Sequence, residues 1–162
     1  MPSRRKLAAV VILALGLSVL GCSVLGARKI REITLDRSGI RNNGSMHFET
    51  LTLRSDGTAE SREEKSGPDF SQSEQGKTSQ RAQISPGDFE RLSKVVSDNN
   101  FFSKDAGSVP TDAQERLTVV YDGGEKKVNL GLRNDPELDA IAKAIYDTAG
   151  KLKWENAGPS AN

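Results

Sequence analysis

The stretch Leu117-Thr118-Val119-Val120-Tyr121-Asp122-Gly123-Gly124-Glu125-Lys126-Lys127-Val128-Asn129-Leu130-Gly131-Leu132 decides how the chain folds. Leu117, Val119 and Tyr121 recur at every second position before Asp122-Gly123-Gly124, and Val128, Leu130 and Leu132 do so after it. Successive side chains of an extended strand point to opposite faces, so this period gives each arm one apolar face. The Asp-Gly pair supplies the positive φ angles that a tight reversal needs. The reading is a β-hairpin with one buried side.

Downstream, Asp135 and Pro136 open a helix in which Leu138, Ile141, Ala142 and Ile145 recur at helical spacing, and Gly150 stops it. Leu152 and Trp154 then dock back on the core, and residues 155–162 form a flexible tail. Upstream lies a second helix with a better-defined start. Ser85 caps it, Pro86 takes the first helical position, Asp88 answers Ser85 as a capping box, and Ile84 with Phe89 makes a hydrophobic staple. Its stripe of Phe89, Leu92, Val95 and Val96 must be buried against a sheet. Asn99-Asn100 ends it, and Phe101-Phe102 plugs the core.

Toward the N-terminus, Ile33 and Leu35 mark a first strand ending near Ser38-Gly39, followed by a turn at Asn42-Asn43-Gly44. His47 to Arg54 is a second strand with Leu51 and Leu53 on one face. Phe48 falls on the other, which points to a bulge or a partly covered second face. Asp56-Gly57 turns the chain into a polar edge strand from Thr58, and Glu63 to Gln80, almost without apolar residues, reads as a mobile loop. The expected fold is α+β: a two-layer antiparallel sheet with two helices on one face, arranged as a degenerate ββα repeat within a single domain spanning residues 32–154.

The N-terminus carries an address. Arg4-Arg5-Lys6 precedes the apolar run Leu7 to Leu20, the layout of a signal peptide. The run closes in Val19-Leu20-Gly21-Cys22, which resembles the bacterial lipobox. That resemblance implies cleavage after Gly21, a signal peptide over residues 1–21, and a diacylglyceryl group on the Cys22 thiol. Several acyl chains anchor stably where one does not, since each buried methylene contributes about 0.8 kcal/mol. The rival reading is an uncut anchor, because apolar residues continue through Val24, Leu25 and Ala27 and roughly 20 residues can span a bilayer. Either way the body lies outside the cytoplasm. Residues 22–31 then form a membrane-proximal tether of ~17 Å root-mean-square span. Arg28, Lys29 and Arg31 either face anionic headgroups or are simply solvated.

The segments "LTLRSDGTA", "ISPGDFERL", "NNFF" and "LTVVYDGGEKK" are similar to an uncharacterised family of bacterial exported α+β domains. Members of that family often carry a cysteine after the first strand. Ser38 to Ser45 has none, so no thiol role transfers, and the resemblance implies no activity.

Loss of Arg4, Arg5 and Lys6 from 23 basic residues leaves 20 against 22 acidic ones, and no basic block is interleaved with aromatics. Nucleic acid, whose binding draws on a concentrated basic face, is therefore not an expected partner. The single cysteine leaves no disulfide and no thiolate zinc site. His47 is the only histidine and reads as a sheet-face residue; no nucleophile-elbow, zincin, phosphate-loop or dinucleotide motif accompanies it. Asp105, Asp112 and Asp122 match no calcium loop, and turn formation accounts for Asp122, so neither a metal nor another cofactor is expected. The expected function is that of a membrane-anchored envelope lipoprotein and non-catalytic binding or structural module, its lipid on Cys22. It would meet an envelope protein through a strand edge or the Phe101-Phe102 to Thr111-Asp112 region. The alternative is a ligand-binding or enzymatic exported domain with His47, Asp112 and Tyr121 lining a pocket.

Overall fold

A computed structural model describes residues 28–41, 43–107, 113–130 and 135–157. The elements run β1 (Ile30–Ile40), β2 (Met46–Arg54), β3 (Thr58–Ser66), β4 (Gly76–Gln83), α1 (Pro86–Asp98), a 3-10 turn (Phe101–Ser103), β5 (Ala113–Tyr121), β6 (Gly124–Asn129), α2 (Pro136–Ala149) and β7 (Glu155–Asn156). The seven strands form one antiparallel sheet in the order β6-β5-β1-β2-β3-β4-β7, so the fold is α+β. Cys22 and the leader lie outside the described residues. Among the described residues, no helix is long and apolar enough to cross a membrane.

Register explains the core. Ile33 sits between Leu53 and Val119, and Leu35 between Leu51 and Leu117; the rows continue through Ala59 to Ala82 on one side and through Val128 on the other. These residues share one face, are buried, and form a single cluster with Phe89, Leu92 and Val96 of α1 and Leu138, Ile141 and Ile145 of α2. Phe101 is fully buried in the same cluster, as the sequence predicts.

Both helix starts behave as their capping residues require. The Ser85 hydroxyl accepts from the Asp88 amide at 3.1 Å and donates to the Asp88 carboxylate at 2.5 Å. Asp135 accepts from the amides of Glu137 and Leu138 at 3.0 and 3.3 Å, and Lys104 bridges its carboxylate to that of Glu137. Asn100 takes the left-handed conformation that ends α1, φ 54°, which asparagine tolerates better than most side chains.

The polar stretch from Glu63 to Gln80 departs most from the sequence reading. Instead of a mobile loop it holds the end of β3, a turn, and most of β4, paired from Thr58↔Gln83 to Lys65↔Gly76. A ladder is made by backbone groups, so polar side chains can line it when no second layer needs an apolar face there. Lys77 and Glu64 pair across the strands at 3.1 Å. β3 is consequently interior, with β4 and the short β7 outside it.

Smaller boundaries move as well. β1 begins at Ile30, a buried residue inside the stretch read as tether. Glu155 and Asn156 of the expected tail pair with Arg81 and Gln80. The β1–β2 register is continuous, so Phe48 marks no bulge. Four strands, rather than the three read from the sequence, precede α1.

Truncating Phe101→Ala opens a large void in this core and is expected to cost about 3–5 kcal/mol, whereas Phe48→Ala on the exposed face changes stability by less than about 0.5 kcal/mol. Urea unfolding of the two variants beside the parent measures the contrast.

Candidate functional site

The face opposite the core is polar over most of its area. Thr34, Thr52 and Thr118 run across its centre, with a 3.2 Å hydrogen bond between the Thr34 and Thr52 hydroxyls. Glu32 accepts from Arg54 at 2.7 Å, and Asp36 from Thr50 at 2.9 Å. Such cross-strand pairs are the ordinary means of stabilising a solvated sheet face.

At the end of this face beside the β1–β2 turn the character changes. Ile40, Met46 and Phe48 are 49%, 37% and 38% exposed, large apolar side chains that share one corner. Ile40 lies directly opposite Met46, and Phe48 opposite the small Ser38. A groove of 320 Å³ opens beside Phe48, the one apolar side chain among residues that include Asp36, Ser38, Gln114 and Arg116. It can take up an apolar side chain and satisfy polar groups beside it.

A second cluster lies on the opposite face, beyond the last apolar row. His47 Nε2 and Lys65 Nζ both reach Glu63 Oε1 at 2.8 Å. The hydrogen bond from Lys65 is the main cause that holds the Glu63 carboxyl below its ordinary value, with His47 adding to it. Glu49 stands directly opposite Glu63, so the Lys65 ammonium offsets a like-charge pair. The Phe70 ring lies 6.4 Å from the imidazole, tilted.

Between them is a recess of 250 Å³ lined by Gly39, Arg41, Ser45, His47 and Phe70 together with Ile40 and Met46 of the apolar corner. Ser45, the one hydroxyl there, is buried and accepts from the Asp69 amide at 3.0 Å. Arg41 and Asn43 hold the Asp69 carboxylate at 2.8 and 2.5 Å, which clamps the β1–β2 turn to the β3–β4 turn. Gly67 completes the clamp: at φ +104° a Cβ would meet Ser45 Cα at 2.5 Å. Ser45 serves structure here. The imidazole has a carboxylate to orient it, but the hydroxyl in its recess is committed to the turn.

The residues singled out from sequence scatter. Gly39 pairs with His47 and Ile30 with Tyr121, so β1 separates them by nine residues, ~30 Å at the usual rise. Asp112 and Thr111 lie outside the described residues. The expected grouping of His47 with Tyr121 is therefore not formed; His47 meets Glu63 instead, a residue hidden in what read as loop. Tyr121 stacks edge-on against Phe102 at 5.1 Å, and the Arg28 guanidinium sits over both rings at 4.7 and 5.1 Å. Phe101 is buried and Phe102 partly so, its carbonyl accepting from Lys126 at 2.8 Å, so this pair closes the core, and the end of the expected docking region at Thr111-Asp112 lies outside the described residues.

Arg31 holds the Asp122 carboxylate at 2.7 Å, and Asp105 is exposed. Among the described residues no three His, Cys, Asp or Glu side chains gather closely enough to hold a metal ion. The corner of Ile40, Met46 and Phe48 escaped the sequence reading, although Met46 and Phe48 are two apart and out of phase with Leu51 and Leu53. No known protein family matches the chain, and no curated protein is similar enough to match it.

Because its folded-state pKa is depressed, Glu63 stabilises the fold above the ordinary glutamate value of 4.5 and loses that contribution as pH falls through the lowered value. Glu63→Gln is thus expected to be less stable than the parent at neutral pH and equal to it in strong acid. Denaturant midpoints at the two pH values check this.

Proposed function

We propose that the chain is a lipid-anchored protein of the bacterial cell envelope, held in the cell membrane or outer membrane through Cys22 and facing away from the cytoplasm. Its folded part is a non-catalytic docking or structural module. In this reading α1 and α2 form one layer over the apolar face of the sheet and leave the other face open. Each of two Asp-Gly turned hairpins followed by a proline-started helix is then a relic of a ββα repeat.

The observation that carries the docking role is the corner of Ile40, Met46 and Phe48. Single exposed apolar side chains need no explanation, but a contiguous group beside a groove marks an interaction surface. An envelope protein with an apolar side chain to insert beside Phe48 fits it. A second reading, in which the exported domain binds or converts a small ligand, draws on the His47–Glu63 pair beside its 250 Å³ recess. It lacks a hydroxyl or thiol nucleophile free of structural duty in that recess.

Cys22→Ala is expected to abolish incorporation of radiolabelled palmitate and to leave the leader uncut. Met46→Asp combined with Phe48→Asp is expected to remove the crosslinked partner band from intact cells while the unfolding midpoint stays near that of the parent. Undiminished crosslinking would sink the docking role, and loss of activity on a small ligand in His47→Ala would favour the second reading.

A further inference from the structure

The domain has two chemically distinct ends, and β1 fixes the distance between them. From Ile30 to Ile40 it spans ~33 Å at the usual strand rise. At its start, Arg28 is pinned by its guanidinium over Phe102 and Tyr121, and Lys29 and Asp122 are joined by a backbone hydrogen bond of 2.9 Å. The chain is therefore tied to the folded body at Arg28. Only Ser23 to Ala27 remain between Cys22 and that point, so full extension allows ~20 Å and a flexible chain averages ~13 Å.

Charge distinguishes this end. Among the described residues, Arg28, Lys29 and Lys126 form no ion pair, and Arg31 neutralises Asp122. The negative groups nearby are Asp56, engaged with Thr58 in the β2–β3 turn, Glu125, paired with Lys127, and Glu32, paired with Arg54. The polar sheet face, in contrast, balances its acids with bases, Glu32 with Arg54, Glu60 with Arg62 and Glu64 with Lys77, while Arg116 stands opposite Asp36. An anionic surface attracts the unpaired cations of this end, while the balanced face offers it no comparable excess of positive charge.

We infer that the domain stands end-on upon an anionic bilayer, with Arg28, Lys29, Arg31 and Lys126 toward the headgroups and the Ile40, Met46 and Phe48 corner pointing away. This rests on the lipid-anchor reading of Cys22. The apolar corner is then held beyond reach of the membrane that anchors the chain, and its occupant is a protein rather than lipid.

The test uses the mature, full-length protein in vesicles of phosphatidylethanolamine and phosphatidylglycerol bearing a headgroup-linked quencher. Cys22 is the only cysteine, and once acylated it cannot take a maleimide dye, so Ser55→Cys, Met46→Cys and Lys77→Cys each label at one site. Ser55 marks the end near Arg31, whose carbonyl accepts from its amide at 2.9 Å; Lys77 lies with Glu64 in the row of Phe48. The dye at Ser55 should lose most of its emission, while those at Met46 and Lys77 keep it. Quenching at Met46 equal to or above that at Ser55 would mean that the domain lies over on its polar face, overturning the inference. Equal quenching at Ser55 in vesicles of phosphatidylcholine alone would remove the electrostatic part of it. Dye uptake by the parent, with no introduced cysteine, would show a free Cys22 thiol and reject the anchor reading itself.

Discussion

Ile33 and Leu35 occupy the middle of the sheet, and the remaining strands are arranged around the need to keep both dry. Each is flanked on both sides by aliphatic residues in register, and the same two rows belong to one buried cluster with residues of α1 and α2. A slip of one residue between β1 and either neighbour would turn those rows to solvent and bring Thr34 and Asp36 inward. The carboxylate of Asp36 makes such a state costly, because a buried charge without a partner loses far more hydration than one contact returns. Hydrophobic rows and polar alternates thus specify the same register from opposite sides.

The apolar rows do not extend along the whole length of the strands. Past Leu35 and Leu51 the core-side positions become Arg37 and Glu49, and the sheet continues as a polar extension in which Glu63 bonds His47 across to β2 and Lys65 along β3. The functional candidates gather at this far end, where the constraint of core packing is released. The Ile40, Met46 and Phe48 corner lies on one face and the His47–Glu63–Lys65 cluster on the other, with the Ser45–Asp69 clamp holding the two turns together. The end near Ile30 is instead rigidified by aromatic stacking under Arg28.

Legibility in the sequence follows what sets each element. The β5–β6 hairpin, both helix starts and the burial of Phe101 were readable, because alternation, capping residues and turn glycines act over a few neighbouring positions. β4 was not readable, since Gly76 to Gln80 carries no apolar alternation and is a strand only because β3 offers it a backbone ladder. β7 is strand for the same reason, two residues long and defined by Gln80 and Arg81. The pocket imagined around His47 and Tyr121 failed because both residues sit on strands that run antiparallel to β1, so their places along β1 put them near opposite ends of it.

Composition and local pattern by themselves determined that this chain would be α+β, with hairpins turned at Asp56-Gly57 and Asp122-Gly123 and helices opened at Pro86 and Pro136, because dihedral preference and amphipathic period are properties of short segments. Tertiary structure alone decided that Glu63 would meet His47, that Ile40, Met46 and Phe48 would share a corner, and that Arg28 would close the opposite end. Those relations join residues brought together by strand order and register, and order and register are settled by the whole core at once rather than by any segment within it.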